Sequence, residues 1–314
     1  MLHSRLLIYL DEVVRAGSIR KAAERLNVAS SSINRQIIAL EEQIGAPIFE
    51  RLPRRLRLTT AGELLIAHVR LTLRDYDRLQ SRLVDLQGRR RGLVRIATMA
   101  GLANSLLPGL VGWMRRHHPF IKLSIKASSL QGMVGDVASG EADLGFGFQL
   151  PPDTRFRVVA RTGIRVGAVV APAHPLAGRG SVYLGDCLGY PLILPDRSLT
   201  LGTLVADAFE RAAIAIDMAV ESNSIELMKQ TVADGESVTF LNQIDVEVER
   251  RAGRLCFLPL QDDHVPRQEL KLVERARGTL DPSQSLVSEE LRKLVQSIDN
   301  GEWPAGGQAG THPA

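Results

Sequence analysis

Apolar positions at Leu6, Leu7, Leu10, Val13 and Val14 recur at spacings of three and four, which lays them along one face of a helix that Gly17 ends. Ser18 stands where an N-cap belongs, and Ala22, Ala23 and Leu26 give a second, short helix a small apolar face. After a turn at Asn27-Val28, Ile33, Ile37, Leu40 and Ile44 step by four, three and four, predicting a third helix from about Ser31 that stops at Gly45. Its other side carries Ser31, Ser32, Asn34 and Arg35. Leu56 and Leu58 then alternate with Arg55 and Arg57, the pattern of a two-stranded hairpin within residues 47–58. Thr60-Ala61-Gly62-Glu63 has capping-box spacing, with the Thr60 hydroxyl accepting from the Glu63 amide. A long helix is expected next, because Leu65, Val69, Leu73, Tyr76, Leu79, Leu83 and Leu86 repeat close to a heptad seam. At ~1.5 Å per residue it spans roughly 40 Å, and a second copy of the chain is the expected cover for its seam.

From Leu93 the grammar changes. Strands are expected at 93–97, 121–125, 144–148, 166–171, 192–194, 218–220, 238–241 and 255–258. Helices fall between them: one running to about His117, then 130–139, 203–213 and 224–234. Strand and helix in turn predict parallel sheets, and two such sheets leave a cleft between lobes. The fold class is therefore α/β: an N-terminal winged helix-turn-helix at 1–59, a linker helix and hinge at 60–92, a two-lobed α/β domain at 93–300, and a flexible tail at 301–314 with four Gly and two Pro.

Composition supports an ordinary globular protein, with 45% hydrophobic and 24% charged residues in 314. Its net charge of +4 conceals an asymmetry. Residues 1–95 hold 18 Lys and Arg against 10 Asp and Glu, a balance of +8, while 96–314 hold 21 against 25, a balance of −4. A basic module joined to an acidic one points the first at a polyanion. Two helices joined by a tight turn, with short polar side chains and an arginine facing outward and a hairpin of Arg51, Arg54, Arg55 and Arg57 beside them, make duplex DNA that polyanion.

No run approaches the ~18 apolar residues of a membrane helix. The opening Met1-Leu2-His3-Ser4-Arg5 lacks the apolar core of a signal segment, so the protein is expected in the cytoplasm with no membrane partner. Cys187 and Cys256 lie far apart without metal-ligand spacing and read as buried thiols. GxSxG, P-loop, HExxH and dinucleotide fingerprints are all missing, so no catalytic residue, metal or cofactor is expected. His117-His118 reads as a cationic helix end and Asp262-Asp263-His264 as an exposed loop.

The chain resembles the LysR-type transcriptional regulators. The resemblance rests on Gly17-Ser18-Ile19, Ala22-Ala23-Glu24-Arg25-Leu26-Asn27-Val28, Arg35-Gln36-Ile37, Leu40-Glu41, Gly45, Phe49-Glu50-Arg51 and Leu58-Thr59-Thr60-Ala61-Gly62. It continues more weakly through Leu106-Leu107-Pro108, His118-Pro119, Gly140-Glu141-Ala142-Asp143-Leu144 and His174-Pro175-Leu176-Ala177. It implies a winged helix, a dimerising linker helix and a periplasmic-binding-protein-like domain whose lobes clasp a small-molecule effector. It also implies a homodimer or tetramer on an interrupted palindromic operator, with RNA polymerase a candidate partner. Two positions depart from the usual pattern. Ala29-Ser30 replaces a common Ser-Gln, and Asn34 replaces a common Ser, which alters cap and base contacts.

The expected DNA-contacting residues are Ser18, Ser30, Ser31, Ser32, Asn34, Arg35, Arg51, Arg54, Arg55 and Arg57. Arginine bridges guanine O6 and N7, and asparagine bridges adenine N6 and N7. The resemblance places the effector against Thr98, Met99, Ala100, Ser128, Ser129, Ser198, Thr200, Thr203, Phe240 and Asn242, where helix starts with hydroxyls favour an anion. Two readings stand beside this one: a solute-binding protein without regulatory output, which the absent export signal disfavours, and a DNA-binding regulator that needs no effector.

Overall fold

A computed structural model describes residues 4–52, 55–85, 92–276 and 280–302. The chain divides into two units, residues 1–89 with 139–141, and the remainder. In the first, α1 (Arg5–Ala16), α2 (Ile19–Leu26) and α3 (Ser30–Ile44) are each closed by a left-handed residue: Gly17 at φ 63°, Asn27 at φ 53° and Gly45 at φ 73°. Glycine reaches that region without Cβ strain, and asparagine tolerates it better than most side chains. Leu10, Val13, Ala22, Ala23, Ile33 and Ile37 fill the core between the helices with Ile48 and Phe49. Ile44 of the predicted stripe is instead exposed, because it is the last residue of α3. β1 (Phe49–Leu52) and β2 (Arg55–Leu58) form the predicted antiparallel hairpin.

The long helix α4 runs over Thr60–Asp85. Its cap is one residue earlier than expected. Thr60 is already helical, and the Thr59 hydroxyl accepts from the Gly62 amide at 2.9 Å while donating to the Pro47 carbonyl at 2.6 Å. Of the expected seam, Val69 is wholly buried in the first unit's own core, and Leu65 and Leu73 pack against that core while remaining half-exposed. Tyr76 is half-buried and Leu79 exposed. Leu83 lies within α4, and Leu86 falls outside the described residues. Arg70 of α4 and Arg15 of α1 both hold the buried Asp11 carboxylate, at 2.8 and 2.9 Å.

The second unit holds two five-stranded sheets. The chain builds β3 (Gly92–Thr98), α5 (Ala100–Ser105), α6 (Leu107–His117), β4 (Ile121–Ala127), α7 (Leu130–Ser139), β5 (Leu144–Phe148) and β6 (Phe156–Ile164). It then crosses at Arg165 into β7 (Val166–Val170), β8 (Leu192–Pro195), α8 (Thr200–Arg211), β9 (Met218–Ser222), α9 (Ile225–Ala233), β10 (Val238–Asn242), α10 (Gln243–Arg251) and β11 (Cys256–Pro259). It returns through 260–267 to β12 (Gln268–Arg275) and α11 (Pro282–Asp299). The strand orders are β4-β3-β5-β12-β6 and β11-β7-β10-β8-β9.

The sheets are mixed rather than parallel. β3 runs parallel to β4 and β5, and β8 runs parallel to β9 and β10, but β12 and β7 run against their neighbours. Each of those two strands is the first after a crossing. A chain that leaves one sheet at the carboxyl ends of its strands enters the other at the same rim and must run back from it. α10 packs against α5 across the divide, and its Ile244 is wholly buried in the first lobe's core. Cys187 is buried and free, and burial pushes its thiol up to about 12, while Cys256 is half-buried and free.

Candidate functional site

In the first unit Ile33 and Ile37 anchor one side of α3 in the core, which leaves Ser31 and Arg35 exposed and Ser32 and Asn34 half-buried on the remaining surface. Ala29 at the N-cap offers no side-chain acceptor, so α3 begins directly with the exposed Ser30. Ser18 caps α2 by position, yet its hydroxyl makes no capping hydrogen bond. Glu41, near the carboxyl end of α3, accepts from the Ile48 and Phe49 amides at 2.8 and 3.2 Å and so ties the helix to the start of the hairpin. Nothing in the periodicity signals that role. Arg51 and Arg55 lie in β1 and β2, Arg57 is exposed on β2, and Arg54 lies outside the described residues.

Several cations of the first unit are paired, and others, Arg5 and Lys21 among them, are exposed without an ion pair to a described residue. Arg15, Arg25 and Arg70 hold Asp11 or Glu12, and Arg20 faces Glu24 at 3.4 Å. Arg35 and Arg57 form no ion pair with any described residue. Arg15 and Arg70 serve the fold through the buried Asp11, while Arg20 and Glu24 meet on the surface. Arg35 and Arg57 are exposed, one on α3 and one on the hairpin, an arrangement that suits phosphate and base edges.

In the second unit β3, β4, β8, β9 and β10 are each followed by a helix, and Met99, Ser128, Ser198, Asn223 and Asn242, at those junctions, line one cavity of about 300 Å³. The amino ends of α5, α7, α8, α9 and α10 therefore converge on it, a disposition that favours an anion even though Ser129, Ser224 and Asn242 each accept from one amide of α7, α9 and α10. Of the ten expected effector residues, Met99, Ala100, Ser128, Ser129, Ser198, Thr200 and Asn242 line the cavity. Thr98, Thr203 and Phe240 do not. Thr98 is buried in the sheet with its hydroxyl on the Phe146 carbonyl at 2.8 Å. Phe240 packs edge-on against Phe209 in the core, and the Thr203 hydroxyl donates to the Arg197 carbonyl at 3.3 Å. The Ser128 hydroxyl is buried and has no hydrogen-bond partner among the described residues.

Asp245 and Gln268 complete the wall, and neither was expected. Asp245 is the one ionisable side chain among the described lining residues. Its Oδ2 accepts from Asn242 Nδ2 at 2.7 Å, and its Oδ1 is buried without a partner among the described residues. Burial pushes the Asp245 carboxyl up to about 7; Lys229 and the Asn242 hydrogen bond oppose that rise, and Glu249 adds to it. Asn242 and Asp245 sit at the cap and third positions of α10, a spacing that the sequence does display. Gln268 opens a strand far along the chain and carries no such signal. Among the described residues no cluster of His, Cys, Asp and Glu is arranged to hold a metal ion, and no helix is long and apolar enough to cross a membrane.

Comparison with known proteins agrees with this architecture. Residues 4–63 match the profile of the bacterial regulatory helix-turn-helix proteins of the lysR family, and residues 87–296 match the LysR substrate binding domain. A probable RuBisCO transcriptional regulator from Emiliania huxleyi is 26% identical over 294 residues, covering 92% of this chain and 94% of that protein. A full-length OxyR variant from Pseudomonas aeruginosa superposes with a TM-score of 0.70 at 19% identity, covering 92% of this chain and 95% of the other. Full-length CbnR, a structure solved in complex with its target DNA, gives a TM-score of 0.62 at 21% identity, covering 92% and 98%. With two thirds of its length inside one family profile and most of the rest inside the other, the chain belongs to the LysR family of transcriptional regulators, DNA-binding proteins whose second domain takes a small-molecule effector.

Proposed function

We propose that α3 enters the major groove of a duplex operator with Ser30, Ser31, Ser32, Asn34 and Arg35, that Ser18 and the hairpin arginines hold the flanking backbone, and that a small organic anion in the interlobe cavity modulates the binding. The observation that carries this reading is the placement of Arg35 on the exposed side of α3 and of Arg57 on the exposed side of the hairpin, neither in an ion pair with a described residue, whereas Arg15 and Arg70 are committed to the buried Asp11. Binding then shifts the population of lobe arrangements, and with it the way paired subunits present their hairpins. The chain works in the cytoplasm as a homodimer or tetramer. Leu65, Leu73, Tyr76, Leu79, Leu83 and Leu86 are the seam residues proposed for pairing, Val69 being committed to the first unit's core, and two-fold symmetry matches half-sites about one helical turn apart or a multiple of it.

Fluorescence anisotropy on duplex DNA tests the first half. Arg35→Ala weakens specific binding by about 1–3 kcal/mol, roughly 5- to 150-fold, while Arg20→Ala, from the paired group, changes it far less. Equal effects of the two substitutions contradict the assignment. A thermal-shift screen with small organic acids tests the second half, since a ligand of the folded state stabilises by RT ln(1 + [L]/Kd). Melting temperatures that no acid in the screen raises contradict an anionic effector.

A further inference from the structure

The cavity of the second unit joins two features that oppose each other. Helix starts converge on it, which favours an anion, yet the one ionisable side chain among its described lining residues is an acid, Asp245, 4% exposed. That acid has few partners. Asn242 Nδ2 donates to its Oδ2 at 2.7 Å, while Oδ1 is buried without a partner among the described residues, against Gly101 of α5, where a Cβ would fall 2.2 Å from it. Asp245 also lines a smaller cavity of about 110 Å³ with Glu226, Lys229 and Glu249. Lys229 is the cation there, and its Nζ is taken up by Glu249 Oε1 at 2.9 Å and Glu226 Oε2 at 3.0 Å. One ammonium thus stands against two carboxylates before Asp245 is counted. The other elements around it bring no charge: α5 presents Gly101, Asn104 and Ser105, β12 presents Gln268, and α8 presents Thr200.

An organic anion and an ionised Asp245 therefore exclude each other from the same space. A volume of about 300 Å³ is a sphere about 8 Å across, and two like charges no further apart than that inside a protein disfavour each other on the order of tenfold or more. A neutral Asp245 removes the conflict and leaves the helix ends to act alone. We infer that the cavity takes its organic anion together with one proton, drawn from solvent and held on the Asp245 carboxyl, so that effector binding is coupled to pH. The inference rests on the reading of the cavity as the site of an anionic effector, and it adds a second input to that site. In the free protein burial pushes the Asp245 carboxyl up to about 7, against Lys229 and the Asn242 hydrogen bond and with Glu249, so the site is about half protonated at neutral pH. Acid then favours the anion-bound state, and alkali empties the cavity at the same effector concentration.

The test is calorimetric titration of the full-length chain with cyclohexanecarboxylate, an ordinary carboxylate that is ionised throughout the range from about pH 6.5 to 8.5, so that any proton taken up is the protein's. Tris and triethanolamine serve as buffers, because neither brings an anion of its own and their ionisation enthalpies differ. At about pH 7.5 the apparent binding enthalpies in the two buffers differ by the equivalent of more than half a proton captured per ligand. Affinity falls about tenfold or more between about pH 6.5 and 8.5. Asp245→Asn has no proton to take up, so the buffer difference disappears and the affinity stays level with pH. Glu249→Gln removes a negative neighbour and keeps Asp245 itself, which moves the fall in affinity to lower pH; it carries the test if Asp245→Asn folds poorly. Wild-type affinity that is level across the range with no buffer difference, or a fall that persists in Asp245→Asn, overturns the proton coupling and leaves the effector cavity standing. No binding of cyclohexanecarboxylate up to about 10 mM at about pH 6.5 overturns the anionic reading of the cavity, and the coupling with it.

Discussion

Gly62→Ala is expected to unfold the DNA-binding unit at temperatures where the second unit is still native. Gly62 is buried in the first turn of α4, and a Cβ there lies 2.1 Å from the Ile48 carbonyl oxygen, 3.0 Å from the Ile48 carbonyl carbon and 3.0 Å from a Leu58 methyl. The obstacle is backbone, so no rotamer change relieves it. The same Ile48 carbonyl accepts from the Thr59 amide at 3.0 Å, and Ile48 itself is 1% exposed in the core. Moving α4 away to make room therefore opens the contact of Ile66 and Val69 with α1 and breaks the Thr59 cap. Overpacking costs typically 1–3 kcal/mol and more where backbone blocks it. For a unit of this size, about 3 kcal/mol lowers the melting temperature by roughly 12–24 °C. A calorimetric scan of the full-length variant shows the first unit's transition falling by that order with the second unmoved, and DNA affinity at 37 °C falls with it. An unshifted transition would mean that α4 does not rest on the hairpin in this way.

Asp245→Asn is expected to make the second unit more stable at alkaline pH. Burial raises the Asp245 carboxyl to about 7 from an ordinary 3.8, so between those values the folded chain holds a proton that the unfolded chain has released. Its contribution is therefore fully present below about pH 3.8 and is lost as pH rises through about 7. Roughly three units at 1.36 kcal/mol each put the loss on the order of 4 kcal/mol, complete near pH 8. The amide carries no charge to bury, and its oxygen replaces Oδ2 as the acceptor for Asn242. Urea unfolding at pH 5 and pH 8 measures the difference: the stability gap moves by roughly 2–3 kcal/mol in the variant's favour from pH 5 to pH 8, the window that holds about two of the three units. A gap that is the same at both values means that Asp245 does not titrate across this window.

The winged helix was legible because its information is local. Three- and four-residue periods, glycines at two helix ends and the alternation of Leu56 and Leu58 each predict one element without reference to the rest. The same method placed the Thr59 cap one residue late, because Thr59 and Thr60 are equally good acceptors and the carbonyl of Pro47 decides between them. It assigned Val69 to a dimer seam because a heptad pattern does not say which of two partners it serves. In the second unit the unforeseen elements are β6, β12, α10 and α11. β6 and β12 are edge and return strands: β6 is half-exposed with Arg157 and Arg161 among its residues, and the register of β12 shifts between Leu272 and Val273, which breaks the two-residue alternation. α11 did carry a signal, the capping box Asp281-Pro282-Ser283-Gln284 followed by Val287, Leu291 and Val295. The mixed sheet direction follows from where the chain crosses between lobes, a property of no single segment. The cavity was legible as helix starts, which gave seven of its residues. Gln268 was not, since it reaches the wall from a distant stretch of chain, whereas Asp245 stands at cap spacing from Asn242 and was missed with α10 itself.

The central claim is that the first unit docks on duplex phosphates with α3 aimed at base edges, and the salt dependence of full-length binding to a duplex selected from its own genome measures it most directly. The expected result is sequence preference together with log K falling linearly in log salt by about 0.9 per phosphate held, amounting to roughly 10³–10⁵ between 50 and 200 mM for six to ten contacts, and a shallower slope when Arg57 is replaced by alanine. Binding with no preferred duplex and no dependence on salt would contradict it.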